Sequence, residues 1–391
     1  MAKQKVIAQI YGDWKESYNK VSKLLQALQS YFPETICDLR VRLYYDGHLL
    51  VRDCSMFDKV FWIFPSCVEA FKHCKPFVFI NGTHLYGRYG GVLLIAVAQD
   101  GNSNILPIAF AIADFESTES WSFFLTNLRR HVTDNRNFLS AIKAALSSDD
   151  SGWYPLRAFH AYCIKHLTAN FMAHFKSAKG KRYLINAAYS SSKAGYECGR
   201  QFGHMTTNLL ECINTVLKGT RYLLISAIVR ITYERLQKLF VMKGREAQSQ
   251  MLAGNRISQR LMVAIEKNRE GIRRYVSRIV TGGPLCLLWK RCAASSIEWA
   301  PYVHPVYRHE AIFKVYEIEF PLISDESLWS EWYGTILCPN LVMRRKATGM
   351  PISTRFQNDK DEVERHEKRC GLYRQVGHTR RGCPNQPTRD A

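Results

Sequence analysis

The spacing of apolar residues changes period several times along the chain, and each change predicts a new element. In VSKLLQALQSYF, Val21, Leu24, Leu25, Leu28 and Phe32 recur at helical spacing, so residues 1–35 read as helical. Residues 37–64 alternate and are rich in Tyr, Val and Phe, which predicts short strands. SCVEAFKHC predicts a short helix. PFVFIN predicts a buried strand that stops at Asn81, and GGVLLIAVAQDGNSNILPIAFAIADF holds two more. Those two are joined by Asp100-Gly101-Asn102-Ser103, a strong hairpin signal. In STESWSFFLTNLRRHV, Ser117 and Thr118 are caps and Glu119 lies in the first turn. Trp121, Phe124, Leu125 and Leu128 then share one helical face. NFLSAIKAAL predicts another helix, LRAFHAYC a strand and IKHLTANFMAHFK a helix. Residues 222–240 predict a long amphipathic helix with Ile225, Ile228, Val229, Leu236 and Phe240 on one side. Beyond 241 the pattern is helical and charged, then irregular and aromatic through 297–340. From about 342 it is basic and polar, a flexible linker and appendage.

Three antiparallel strands followed by a helix open a ribonuclease H-like fold. The predicted class is α/β, in the mixed α+β sense, with helical N-terminal and C-terminal additions. Four segments are expected: 1–70, helix and strand; 71–240, the core; 241–341, helical then irregular; and 342–391, a basic tail. Composition adds a partner class. The 391 residues include 54 Lys+Arg against 34 Asp+Glu, a net charge of +20. Such an excess favours polyanions, with nucleic acid first; the plain alternative is a soluble basic protein. A hydrophobic content of 47% supports a real core. No apolar run is long enough for a membrane span, and the N-terminus lacks the pattern of a secretory signal. Twelve scattered cysteines in that setting suggest free thiols or metal ligands in a reducing compartment.

Four ordered blocks carry a more specific resemblance. INGTHLYGRYGG with the strands and helix after it, FHAYCIKHLTANF, GHMTTNLLECINTVLKGTRYLLISAIVRITYERL and CGLYRQVGHTRRGCPN together resemble plant Mutator-like (MuDR-type) transposases. They cover roughly residues 40–240 and 297–391. The resemblance implies a ribonuclease H-like core with a D-D-E triad holding two Mg²⁺ or Mn²⁺ ions for DNA strand cleavage and transfer. It also implies a nuclear location, DNA as partner, no membrane and no small-molecule substrate, with a homo-oligomer left open.

The implied positions depart from the family pattern. Asn81 stands at the first Asp, and a neutral amide removes one negative charge from a site whose cations need it. The second falls on Asp134 or Asn137, and the third on Glu211. VTDNRN does not read as the apolar strand expected there, so that strand is expected to be lost. The helical insertion expected before Glu211 is missing, and VSRIVTGGPLCLLWKRCAASS lacks the cysteine and histidine pairs of the family's SWIM-type zinc motif. Cys163 and His166, with His160 nearby, could form a soft metal site or simply pack at a helix start. At the C-terminus Cys370, His378 and Cys383 keep the spacing of a Zn²⁺ knuckle, but Tyr373 replaces its second cysteine. Asn81, Glu211 and Asp134 have bland readings too, as a strand-end turn residue, a helix-surface glutamate and a solvated loop carboxylate. Three readings follow: a transposase-derived DNA-binding protein with impaired catalysis, a non-catalytic DNA-binding regulator, or a decayed product without stable function.

Overall fold

A computed structural model of the protein describes residues 2–133, 138–141, 158–160, 164–189, 219–263, 265–266, 303–320 and 322–344. All of them belong to one compact unit, Met1–Arg345. Two helices, α1 (Ala2–Tyr11) and α2 (Glu16–Tyr31), open the chain. Their predicted apolar face is real: Val21, Leu24, Leu25 and Leu28 are buried, and Phe32 packs against the same core. Two long strands follow, β1 (Ile36–Asp46) and β2 (Leu49–Ile63), turned at Gly47 with a φ of 60° that glycine adopts without strain. The short helix α3 (Pro65–Phe71) leads to β3 (Phe77–His84), β4 (Val92–Gln99) and β5 (Ile105–Ala113).

Helix α4 (Thr118–Leu128) has the predicted cap, with Ser117 Oγ accepting from the Ser120 N–H at 3.1 Å. All four residues of its predicted face are buried. The chain continues through β6 (Phe138–Ala141), β7 (Ala158–His160), α5 (Ile164–Phe175), α6 (Ala178–Tyr189) and α7 (Ile225–Leu252). The long helix α7 is continuous with the stretch beyond 241, and it buries the whole predicted stripe. Helix α8 (His309–Tyr316) and strand β8 (Ile336–Cys338) complete the described unit. No helix among the described residues is long and apolar enough to cross a membrane.

The strands form one sheet in the order β1-β2-β5-β4-β3-β6-β7, with β8 added beside β2. Pairing is antiparallel from β1 through β3 and parallel from β3 to β6 and β7. The fold is therefore mixed α/β, as expected. One expectation is corrected. NFLSAIKAAL reads as a helix from its Ala, Leu and Lys content, yet Phe138–Ala141 pairs with β3 through Phe77–Leu139 and Phe79–Ala141. The strand expected to be lost is thus supplied by the next four residues. A free edge on β3 outweighs the weak helix propensity of so short a segment.

Side chains opposite one another in paired strands share a face. Trp62, Phe110, Ile95 and Asn81 therefore make one row across the sheet. Helix α7 covers this face, with Trp62 Nε1 donating to Thr232 Oγ1 at 3.2 Å and the Trp62 ring stacked on Phe110. Phe61, Ala111, Leu94 and Gly82 make a row on the other face, covered by α4 through Phe124 and Trp121. A Cβ on Gly82 would come within 3.1 Å of Trp121, so its lack of a side chain lets α4 lie close.

The β4–β5 turn is held by a buried polar network. Asp100 accepts from the Asn104 backbone N–H and Nδ2, both at 2.7 Å, and from the Tyr316 hydroxyl at 3.0 Å. Lys75 donates to Gln99 Oε1 and Ser103 Oγ, both at 2.9 Å. Burial lowers the Lys75 pKa to about 8 against the pull of Asp100, and burial raises that of Asp100. The network bonds these polar groups, whose burial unpaired would cost several kcal/mol (roughly 2–7 per group). The 3₁₀ turn Pro305–Tyr307, just ahead of α8, lies so close that a Cβ on Gly101 would sit 2.0 Å from the Val306 carbonyl oxygen. Gly101→Ala must push this backbone aside, and we expect a loss of about 1–3 kcal/mol in urea or thermal unfolding. Unchanged stability would show that the turn and the Val306 backbone approach each other less closely.

Candidate functional site at the end of the central strand

Strand β3 alternates its side chains, so Phe77, Phe79, Asn81 and Thr83 face α7, while Val78, Ile80 and Gly82 face α4. Asn81 is half-buried and pairs with Ile95; Thr83 is buried and pairs with Leu93. The two lie roughly 6–7 Å apart along the strand.

The 3₁₀ turn Thr220–Tyr222, immediately before α7, delivers a cation to this face. Arg221 donates from Nη1 to Thr83 Oγ1 at 3.2 Å. Its guanidinium carbon lies 5.3 Å from the centre of the Tyr86 ring, a cation–π distance. The Tyr86 N–H donates to the Arg221 carbonyl at 2.6 Å, and the Tyr86 and Tyr222 rings lie 5.5 Å apart. Arg235, nearly three turns into α7, holds the same turn by donating to Thr220 Oγ1 at 2.7 Å. Arg221 Nε is buried without a hydrogen-bond partner, and no carboxylate among the described residues pairs with this guanidinium. Sequence reasoning missed Arg221. Its signal is faint: a Gly-Thr-Arg-Tyr turn ahead of an amphipathic helix.

The loop after β3 extends the same end of the sheet. A Cβ on Gly87 would sit 2.5 Å from the Trp14 ring, so this glycine lets the loop pass under the N-terminal helices. Gly90 N–H donates to the Met343 carbonyl at 2.8 Å, and Tyr89 bridges Arg344. Arg88 and the exposed Arg344 thereby join Arg221 at one end of the sheet, with the aromatic rings of Tyr86 and Tyr222 between.

The acidic residues at this end are committed elsewhere. Asp58 is tied to Arg42 and lies 3.3 Å from Lys59, which also pairs with Glu119. Glu116 accepts from Trp121 Nε1 at 3.3 Å, with His84 at 3.8 Å. Asp114 follows β5 on the α7 face and accepts from Asn340 Nδ2 at 3.0 Å, which anchors the 336–344 segment. Burial raises its pKa to about 6; the Asn340 bond and Arg42 oppose this, and the charge of Asp58 adds to it.

Of the positions implied by the resemblance, the structure places one. Asn81 lies on the central strand, beside Thr83 and its arginine. Asp134, Asn137 and Glu211 lie outside the described residues, as do Cys163, Cys370, Tyr373, His378 and Cys383. His160 falls in β7 and His166 in α5, where only the backbone is described. The described β6 ends at Ala141, level with Phe79, and its four residues include no carboxylate. No group of three or more His, Cys, Asp and Glu among the described residues could hold a metal ion.

No known family and no curated protein matches this chain.

The described donors fit a phosphate better than a pair of divalent cations. Among the described residues, Asn81 and the Thr83–Arg221 pair place an amide and a guanidinium on this face, whereas Mg²⁺ or Mn²⁺ would need carboxylates. Asp114 provides an independent check on the electrostatics here. Its raised folded pKa means that the folded state holds a proton the unfolded chain has released. Its ionisation therefore removes stability as pH rises from about 4 to about 6. Asp114→Asn keeps an acceptor for Asn340 and deletes that titration. Its stability relative to the parent should grow over this interval and level off above it, measured by unfolding at fixed pH steps. A difference that stays flat would place Asp114 in a more solvated setting.

Proposed function

We propose that the chain is a Mutator-like transposase derivative, of nuclear location, that binds DNA without cutting it. The observation that carries the reading is Arg221: a guanidinium bonded to Thr83, two residues beyond Asn81 on the same strand face. The sheet supports the ancestry. Counted from β3, the strand order is 3-2-1-4-5, with the first three antiparallel and the last two parallel, followed or separated by helices. Such an order agrees with the ribonuclease H-like core that the resemblance implies. The net charge of +20 supports a polyanionic partner.

The residues act by holding phosphate. Arg221 presents a planar cation, with Thr83 and Tyr86 fixing its position. Arg88 and Arg344 add charge around it, and the Tyr86 and Tyr222 rings offer a surface on which an unpaired base could stack. Such contacts track the backbone rather than the base sequence.

Arg221→Ala in the full chain should weaken retention of duplex or single-stranded DNA at low salt. It should also reduce the slope of log K against log[salt] by about one phosphate contact. An unchanged slope would place the DNA elsewhere on the protein. Asn81→Asp bears on the catalytic half of the reading. Adding that carboxylate alone should yield no nicking of terminal-repeat DNA with Mg²⁺ or Mn²⁺, because the new charge faces Arg221 and meets no described second carboxylate. Metal-dependent turnover by this single variant would show the rest of an active site to be intact.

A further inference from the structure

Strand β1 is one edge of the sheet, and no strand among the described residues pairs its outer side. Val41, Leu43 and Tyr45 share one face by alternation, and Leu50, opposite Tyr45 on β2, joins them. They are 47%, 64%, 54% and 45% exposed. Four neighbouring apolar side chains on an unpaired strand edge are what folded proteins usually cover or break with charge. The opposite face of β1 carries Arg40, Arg42, Tyr44 and Asp46.

We infer that this edge pairs with the same edge of a second copy of the chain, antiparallel about a two-fold axis through Leu43. The sequence is self-complementary in that register. Leu43 meets Leu43, and Val41 meets Tyr45 twice, so each copy extends the other's apolar face. On the opposite face Arg40, which pairs with Asp38 in its own chain, meets Asp46 twice, and Arg42, which is tied to Asp58, meets Tyr44 twice, so the second copy adds an acidic neighbour to the first of these ion pairs and an aromatic neighbour to the second. Moving the axis to Arg42 would instead oppose Asp38 to Asp46 and Arg42 to itself. An isologous contact closes after two copies, so it yields a dimer and leaves no further edge. The backbone groups of Arg40–Asp46 on the free side then gain ladder partners.

The pairing does not depend on the DNA-binding reading, since it uses the sheet edge away from Arg221. The nearest rival occupant is DNA, drawn by Arg40 and Arg42. The exposed leucines and Asp46 on the same ribbon disfavour it, because apolar and acidic groups gain nothing from phosphate.

Sedimentation velocity on the full chain, in nuclease-treated samples from submicromolar to tens of micromolar, should show a concentration-dependent monomer–dimer equilibrium. Leu43→Lys places like charges on the axis and should raise the dissociation constant at least tenfold. Arg40→Asp and Asp46→Arg should each weaken the dimer. The double variant, which reverses both Arg40–Asp46 contacts, should restore it to within a few-fold of the parent. All these positions are exposed, so a far-ultraviolet spectrum and melting curve matching the parent confirm folding, and the rescue by the double variant is itself a folding control. A monomer at all concentrations overturns the inference, as does a dimer indifferent to Leu43→Lys or not rescued by the charge swap. Loss of DNA retention by Arg40→Asp with no change in mass would assign the ribbon to nucleic acid instead.

Discussion

The pairing of β3 on both its edges is the constraint on which the remaining structure rests. Antiparallel partners on one side and a parallel partner on the other bury this strand in the middle of the sheet. Its alternation then has no freedom: a slip of one residue would send Asn81 toward α4 and Ile80 toward α7. The rows from Trp62 and Phe61 across to Asn81 and Gly82 fix that register from the far side of the sheet. Large rings fill the outer strands, and the row narrows to an amide and a glycine on β3. Helix α4 comes close at the glycine, while the face of the amide remains open to the turn that carries Arg221.

The two ends of the sheet handle buried polarity differently. At the β4–β5 turn, Lys75 and Asp100 lie inside a network of neutral donors and acceptors, and Tyr316 locks α8 to it. Opposing desolvation terms leave both groups bonded, which favours a single geometry for the turn more than it adds net stability. At the other end, Asp114 shares the same problem with one amide partner, Asn340, and its carboxyl group holds its proton to higher pH. Arg221 goes further: one nitrogen of its guanidinium is buried and unbonded. Buried donors without acceptors are uncommon in folded proteins, and this one has no solvent-facing surface through which an outside acceptor could reach it.

Much of the architecture was legible because it is periodic. The α4 stripe, the α7 stripe and the Asp100 turn each repeat over enough residues for the spacing to decide. The four residues of β6 were not legible. Phe138–Ala141 is too short for alternation to register, and the Ala and Lys that follow it read as helix; only the free edge of β3 makes it a strand. The site divides in the same way. Asn81 reads as a strand end from its local run, yet β3 continues to His84 and Asn81 pairs with Ile95 within the ladder. Arg221 could not be read from its local run, because its partner Thr83 lies 138 residues earlier and the contact exists only after both elements have packed. The signal for α6 was weaker still, a lysine-rich stretch without a clear stripe.

The charge at the end of β3 decides what this face can hold. Two divalent ions close together repel one another, and a site tolerates them only by surrounding them with carboxylates. Under the proposed ancestry, Asn81 in place of a carboxylate keeps nearly the same side-chain shape but shifts the local balance by a full unit. With Arg221 already bonded to Thr83 on that face, the sign of the potential then favours an anion. Under the proposed reading, the same strand and turn would hold a nucleic-acid backbone without the means to cleave it. Binding of that kind would draw on contacts spread over Arg88, Arg221 and Arg344, whereas two-metal chemistry depends on each of a few oxygens and does not survive the loss of one.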